Sequence, residues 1–466
     1  MEQRYFFGRL RQWKAEFHAA PELPFSELLS AERIARRLHE LGCRFRERIY
    51  TPQATLWLFL SQVLSPDSSC RDAVARFLAY RTARGLPACS TDTGSYCEAR
   101  TRLPEALVRG LARDTGRELS GEAPDPWRWQ GRRVKIADGT TCSMPDTPAN
   151  EQAFGKPRNQ RGPSGFPVLR LVAVLCLATG AALDLALGPC RGKKTGELSL
   201  FRTLEQAFEP GDIVLADRLY CTYGDIARLR QQGVDSVFRL SAARTADFRR
   251  GQRLGRDDHL VVWRKPAQCP DAFDPRQFAA LPDELRLREL RIRVQVPGWR
   301  VKTLVVTTTL LDPTQYAKSA LELLYRQRWH GEVDLRALKS TLQMDVLRCR
   351  TPEMVRKELW MHLLANNLLR SAMSAAAARH DVAPRQLSFR GTQQLVNAFD
   401  SLLTTCPLTD LEALCDTLFD AMAQHPVGHR PDRYEPRKRK RAAKPYPALK
   451  RSRAEERRLC LKPGSV

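Results

Sequence analysis

Three carboxylates stand where an α/β chain builds its sites. Asp138 closes the apolar run VKIAD (134–138), and Asp217 closes a second one, DIVLAD (212–217). Glu332 lies in YRQRWHGEVDLRALK (325–339), which reads as helix. Strand ends that share a sheet edge are where α/β folds place their reactive groups. Two such aspartates and a helical glutamate offer three hard oxygen ligands, a set suited to Mg2+ or Mn2+, which keep several waters and bind phosphates. Two ions, the number expected here, can clamp the attacking and leaving oxygens of an in-line phosphoryl transfer. Each aspartate taken alone is more simply a cap. Histidine and cysteine offer no rival set: the 8 His are scattered, and none of the 13 Cys stands in a C-x-x-C pair.

The glutamate has its own neighbourhood. At 100° per residue, Tyr325, Arg328, Glu332 and Lys339 fall within an arc of about 60° on one helix. Leu324, Leu335, Leu338 and Leu342 form an adjacent apolar stripe that faces the core. An acid flanked by two cations and a phenol fits a place where a metal meets a phosphate backbone. A charged helix face laced with i,i+4 pairs fits the same spacing equally well.

The elements that must carry these residues follow in an informative order. The segment 128–240 reads as strands VKIAD, PVLRLVAVLCLAT (167–179) and ALDLALG (182–188), the last two a hairpin about Gly180. An amphipathic helix Glu197–Phe208, the strand DIVLAD, a helix Tyr223–Gln232 and a strand VDSVFRL (234–240) complete it. Strand, strand, strand, helix, strand, helix, strand is the order of a ribonuclease-H-like fold, a mixed α/β sheet with helices on both faces. The stretch 242–315, with HLVVW (259–263), LRELRIRVQV (287–296) and VKTLVVTTT (301–309), reads as a β-rich insertion. Long helices are expected over Tyr316–Leu342 and Pro352–Ala378. The division is therefore 1–127, helical; 128–241 with 316–378, the catalytic unit; 242–315, the insertion; and 379–466, a helical segment and a tail.

Charge says what such a chain meets. Lys and Arg number 76 against 52 Asp and Glu, a formal net charge of +24, which attracts polyanions and disfavours a plain metabolic enzyme. Residues 1–127 are basic as well as helical. Asp67/Ser68 can cap a helix there, and two short helices and a turn, with Arg100 and Arg102 exposed on TDTGSYCEARTRLP (91–104), resemble a helix-turn-helix. From Val427 the tail has 14 Lys and Arg against 4 Asp and Glu, including RKRKR (437–441). The N-terminus shows no apolar signal region, and the run Leu171–Leu183 is too short to span a bilayer, so no membrane association is expected.

The sequence resembles the DDE transposases of bacterial insertion sequences, specifically the IS-four group. The resemblance rests on IADGTT around Asp138, on LADRLYCTYGD around Asp217, and on the last block, which fits the signature Y-(2)-R-(3)-E-(6)-K at Tyr325, Arg328, Glu332 and Lys339 without a gap. YCEARTRLP (96–104) is similar to the segment that precedes the catalytic domain in this group. The 115 residues from Asp217 to Glu332 match members with a β insertion before the glutamate. The resemblance implies that Asp138, Asp217 and Glu332 hold the divalent ions. Tyr325, Arg328 and Lys339 would grip phosphates near the cleaved end, with Arg218, Arg100 and Arg102 as further DNA contacts.

The activity implied is binding of the element's terminal inverted repeats, metal-dependent cleavage, and joining to target DNA. The partners would be double-stranded DNA and a second copy of the chain in the synaptic complex, in a bacterial cytoplasm at the nucleoid. Some members form a hairpin on the transposon end and use a tryptophan of the insertion as a wedge. Trp299, after the turn-like Val296–Pro297–Gly298, is the expected wedge, with Trp263 second. A ribonuclease-H-like nuclease or resolvase, or an inactive DNA-binding derivative of a transposase, would share most of these features.

Overall fold

Side-chain caps set where the first helices begin. Ser30 accepts a hydrogen bond from the Arg33 amide at 3.1 Å ahead of α1 (Ala31–Glu40). Thr51 and Pro52 open α2 (Pro52–Leu64), and Ser69 opens α3 (Cys70–Ala83). A cap oxygen satisfies an N–H that the first turn leaves unpaired, and proline at the first position forfeits nothing. The cap expected at Asp67/Ser68 is thus Ser69; Ser68 instead takes a left-handed conformation (φ 54°) just before it. The helices α4 (Gly94–Arg102) and α5 (Glu105–Gly121) follow. The computed structural model describes residues 29–45, 48–159, 162–163, 165–270, 273–293, 303–405 and 408–428, with 451, 455, 458 and 459. Trp299 and nearly all of the basic tail therefore lie outside the described residues.

The sheet is mixed and nine-stranded. Its first part comprises β1 (Val134–Ser143), β2 (Val168–Cys176) and β3 (Ala182–Pro189), an antiparallel set. Helix α6 (Glu197–Phe201) then leads to β4 (Ile213–Ala216), and α7 (Tyr223–Gln231) to β5 (Asp235–Arg239). The single helix expected over Glu197–Phe208 is instead α6 followed by a 3-10 segment, Arg202–Ala207, because Leu204 leaves helical geometry (φ −99°, ψ 19°). The next four strands are β6 (Gln252–Gly255), β7 (Asp258–Arg264), β8 (Glu284–Arg293) and β9 (Thr303–Thr308). The spatial order is β3-β2-β1-β4-β5-β9-β8-β7-β6, with β1, β4 and β5 parallel. The strands of 242–315 thus continue the same sheet, β9 pairing antiparallel with β5.

The long helix expected over Tyr316–Leu342 is three pieces: α8 (Lys318–Arg326), α9 (Trp329–Arg336) and a π-helical turn, Ala337–Thr341. Beyond it, α10 (Pro352–Arg379) is buried over most of its length. Alternation along β1 divides the packing. Ile136 joins Leu215, Leu321, Leu324 and Tyr325 on one face, while Ala137 joins Val214, Phe201 and Ile226 on the other. The N-terminal helices share a core with α10: Leu56, Phe59, Leu107 and Leu111 pack with Leu359, Leu363 and Leu368. None of the described helices is long and apolar enough to cross a membrane.

Candidate active site

Register brings the two aspartates together. The pairs between β1 and β4 are Val134↔Ile213, Lys135↔Val214 and Ile136↔Leu215. The same parallel offset carried two residues further sets Asp138 level with Asp217, which directly follows β4. Asp138 itself, expected to close its strand, lies in the middle of β1, because pairing with β2 carries β1 on to Ser143. The Gly139 amide donates to Asp138 Oδ1 at 2.9 Å, and the Leu219 amide to Asp217 Oδ1 at 2.7 Å. Each aspartate thereby has one oxygen fixed by the backbone. Burial pushes the Asp138 carboxyl up to about 6; the Arg328 guanidinium and the Gly139 amide oppose this, and the charges of Glu332 and Asp217 add to it.

The helical segment is bent onto this part of β1. From Gln327 to Gly331 the hydrogen-bond ladder tightens: Arg328 N donates to Tyr325 O, His330 N to Gln327 O and Gly331 N to Arg328 O. The tightening lets Gly331 lie against β1. A Cβ on residue 331 would sit 2.7 Å from Ile136 Cγ2 and 3.7 Å from Asp138 Oδ2. The polar line on one straight helix is therefore corrected: the residues cross a bend, and the apolar stripe divides, with Leu324 in one core and Leu335, Leu338 and Leu342 in another.

The four signature residues still gather near Asp138. Arg328 Nη2 donates to Glu332 Oε1 at 2.7 Å. Burial works against the guanidinium's charge, but Tyr325, Glu332 and Asp138 raise its pKa overall. The Tyr325 phenol is buried and pushed up to about 12, with Arg328, Arg239 and Asp217 in its field. Lys339 Nζ donates to Thr140 Oγ1 at 3.1 Å, two residues along β1 from Asp138.

The donors suit a divalent cation, though not as a finished cage. Among the described residues, no three His, Cys, Asp or Glu side chains are close enough together to hold an ion. Glu332 gives an oxygen to Arg328 rather than to its fellow acids. The donor set is nonetheless all hard oxygen, its members repel one another, and burial disfavours the charged form of Asp138, a cost that a bound cation would offset.

The remaining expected contacts separate. Arg218 is exposed beside Asp217. Arg102 is exposed and pairs with Glu98 at 3.4 Å. Arg100, expected to be exposed, is 8% exposed: it donates to Gln62 Oε1 at 2.7 Å and lies 4.4 Å over the Phe59 ring. It shares the inward side of α4 with Tyr96 and Ala99, so it is a core residue and not a phosphate contact. Trp263 is also in a core, its Nε1 donating to Glu289 Oε1 at 2.9 Å. His330 is half-buried, and burial together with Arg385 lowers it to about 4. Two further charged residues reach this end of the sheet: Arg239, at the end of β5, and Glu197, at the start of α6. Position at a strand end was the available signal for Arg239.

Residues 129–368 match the family described as Transposase DDE domain. The chain is 26% identical over 373 residues to Transposase InsG for insertion sequence element IS4 of Escherichia coli (strain K12), covering 79% of this chain and 80% of that protein. It is 26% identical over 146 residues to Putative transposase InsZ of the same organism, 31% of this chain and 48% of that protein. Among solved structures it is similar to the piggyBac transposase synaptic complex with hairpin DNA, with a TM-score of 0.44, 10% identity, and coverage of 85% of this chain and 84% of that one. The family match takes in more than half of the chain and includes Asp138, Asp217 and the whole Tyr325–Lys339 block: the chain belongs to the DDE transposases.

Proposed function

We propose that this transposase binds the terminal inverted repeats of its element, nicks them to free 3′-OH ends, and joins those ends to target DNA. The observation that carries the reading is one place in the fold. Asp138 stands level with Asp217, and the bend at Gly331 presses the helix bearing Arg328 and Glu332 onto it. The strand order β3-β2-β1-β4-β5 with its two parallel pairs supports a ribonuclease-H-like catalytic unit over 128–241 and 316–378.

Asp138, Asp217 and Glu332 would hold the ions, Mg2+ or Mn2+ and two in number. Bound there, such ions polarise the scissile phosphate and lower the pKa of the attacking water or 3′-hydroxyl. The chain's own groups do the rest. Tyr325 and Arg328 take a phosphate oxygen beside the scissile bond, and Lys339 holds the next one along β1. Cations aimed at charge that develops in the transition state are the largest stabilising contribution in such chemistry. Arg218, on an exposed turn, and Arg102, exposed at the end of α4, meet the DNA backbone further out.

The N-terminal helices of 1–127 and the basic tail supply phosphate contacts that position the duplex without reading its sequence. Two copies of the chain bring two ends together, at the bacterial nucleoid. Trp299 of the insertion serves as the wedge for a flipped base. The test is a reaction of the purified chain with Mg2+ and a duplex carrying the inverted repeat that flanks its gene, next to a scrambled duplex. Nicking at the repeat boundary followed by joining of the 3′-OH supports the reading. Cleavage without joining favours a resolvase, and binding without cleavage an inactive derivative.

A further inference from the structure

The stretch of β1 that carries Asp138 is also reached from the other face of the sheet. Gly139 lies inside β1 with an ordinary negative φ, so its backbone does not call for glycine. The space beside it does. A Cβ on residue 139 would lie 2.6 Å from Glu197 Cδ and 2.7 Å from Glu197 Oε2. The missing side chain is what lets the Glu197 carboxyl lie against the residue that follows Asp138.

Glu197 is half-buried, and among the described residues nothing donates a hydrogen bond to it and no cation pairs with it. The nearby cation whose charge it feels, Arg170, gives its Nη1 to the Thr195 carbonyl at 2.9 Å. The Tyr220 phenol stands in the field of Glu197, Asp138 and Asp217. Tyr220 is 1% exposed, its ring packs edge-on against Phe201, and its hydroxyl has no hydrogen-bond partner among the described residues. Buried polar groups are almost always paired, and one left over points to a partner from outside the chain. A hydrated divalent cation answers both needs. Its charge offsets Glu197, and its bound water reaches the phenol.

We propose that Glu197 is a fourth carboxylate of the metal site, reaching an ion shared with Asp138 and Asp217 through the gap left by Gly139, with the Tyr220 hydroxyl bonded to water on that ion. This rests on the reading of Asp138 and Asp217 as metal ligands.

The test is Mn2+ titration of the full chain without DNA, followed by the electron paramagnetic resonance of free Mn2+, with circular dichroism on each variant. Asp138→Asn should abolish the site. Glu197→Gln should weaken it about tenfold or more. Gly139→Ala removes no carboxylate, yet should weaken Mn2+ to a similar degree by displacing Glu197. Tyr220→Phe should weaken it less. If Gly139→Ala does not fold, Glu197→Gln decides alone. Wild-type affinity in Glu197→Gln, alongside loss in Asp138→Asn, would overturn the fourth carboxylate and leave the transposase reading intact. Mn2+ binding that ignores Asp138→Asn would take both down.

Discussion

Arg328 and Glu332 face each other across one helical turn, 2.7 Å between Nη2 and Oε1, where Gly331 brings their helix against Asp138. The guanidinium thus lies in the field of two carboxylates, Glu332 and Asp138, and holds the one that comes from the helix. A DNA phosphate is the natural competitor for that guanidinium, and a metal the natural competitor for the glutamate.

Arg328→Ala should therefore have two opposite effects. End cleavage in Mg2+ should fall by about 100-fold or more, the scale seen when one preorganised donor is removed from developing charge. Mn2+ binding without DNA should tighten, because a like charge has left the site. Gel assays of cleavage and Mn2+ titration check the two halves; normal cleavage would remove the phosphate role of Arg328.

The Asp138 carboxyl is raised from 3.8 to about 6, chiefly by burial. The folded chain holds this proton more tightly than the unfolded chain does. The stability it contributes is complete below about pH 4 and is lost as the pH rises through about 6. Asp138→Asn should consequently stabilise the fold at about pH 8 by up to about 2–3 kcal/mol, seen as a higher thermal midpoint, and the gain should vanish near pH 4. Metal binding runs the other way: wild-type Mn2+ affinity should climb between about pH 5 and 7 as the carboxyl ionises. Calorimetric scans across that range check the sign.

Arg100 and Arg102 separate core from surface. Arg100→Ala should cost roughly 2–3 kcal/mol, since it removes one donor to the Gln62 amide oxygen, leaving the Tyr96 hydroxyl, and empties the place over Phe59. Arg102→Ala should leave stability within about 0.5 kcal/mol and weaken DNA binding. Denaturant unfolding paired with DNA titration distinguishes the two; equal effects on both readouts would contradict the division.

The tail is tested by its charge. Deleting Arg437–Val466 should weaken binding to any duplex and flatten its salt dependence, by about 0.9 in slope for each phosphate that is no longer neutralised. An unchanged slope would mean that the tail does not touch DNA.

Asp217 was legible in the sequence because an apolar run ending in a carboxylate says both strand and edge. Asp138 was legible as a strand residue but not as a strand end, since the polar residues after it stay paired with β2 as far as Ser143. The Tyr325–Lys339 block was legible as spacing, but its shape was not: the bend comes from the packing of Gly331 against Ile136, which only the assembled sheet creates. Arg100 misled because helical position alone does not say which side faces α2. The strands of 242–315 were readable one by one, while their place in the same sheet depends on the pairing of Val306 with Arg239, far apart along the chain. Glu197 carried no local signal, since its neighbour is Gly139 across the fold.

The most direct measurement asks whether Asp138, Asp217 and Glu332 touch the metal. Each is replaced by cysteine, and cleavage of end DNA is compared in Mg2+ and in Mn2+. Thiolate is a poor ligand for Mg2+ and a better one for the softer ion. All three variants should be inactive in Mg2+, and at least the two aspartate positions should regain cleavage in Mn2+. Full cleavage in Mg2+ by Asp138→Cys or Asp217→Cys would contradict their role as metal ligands.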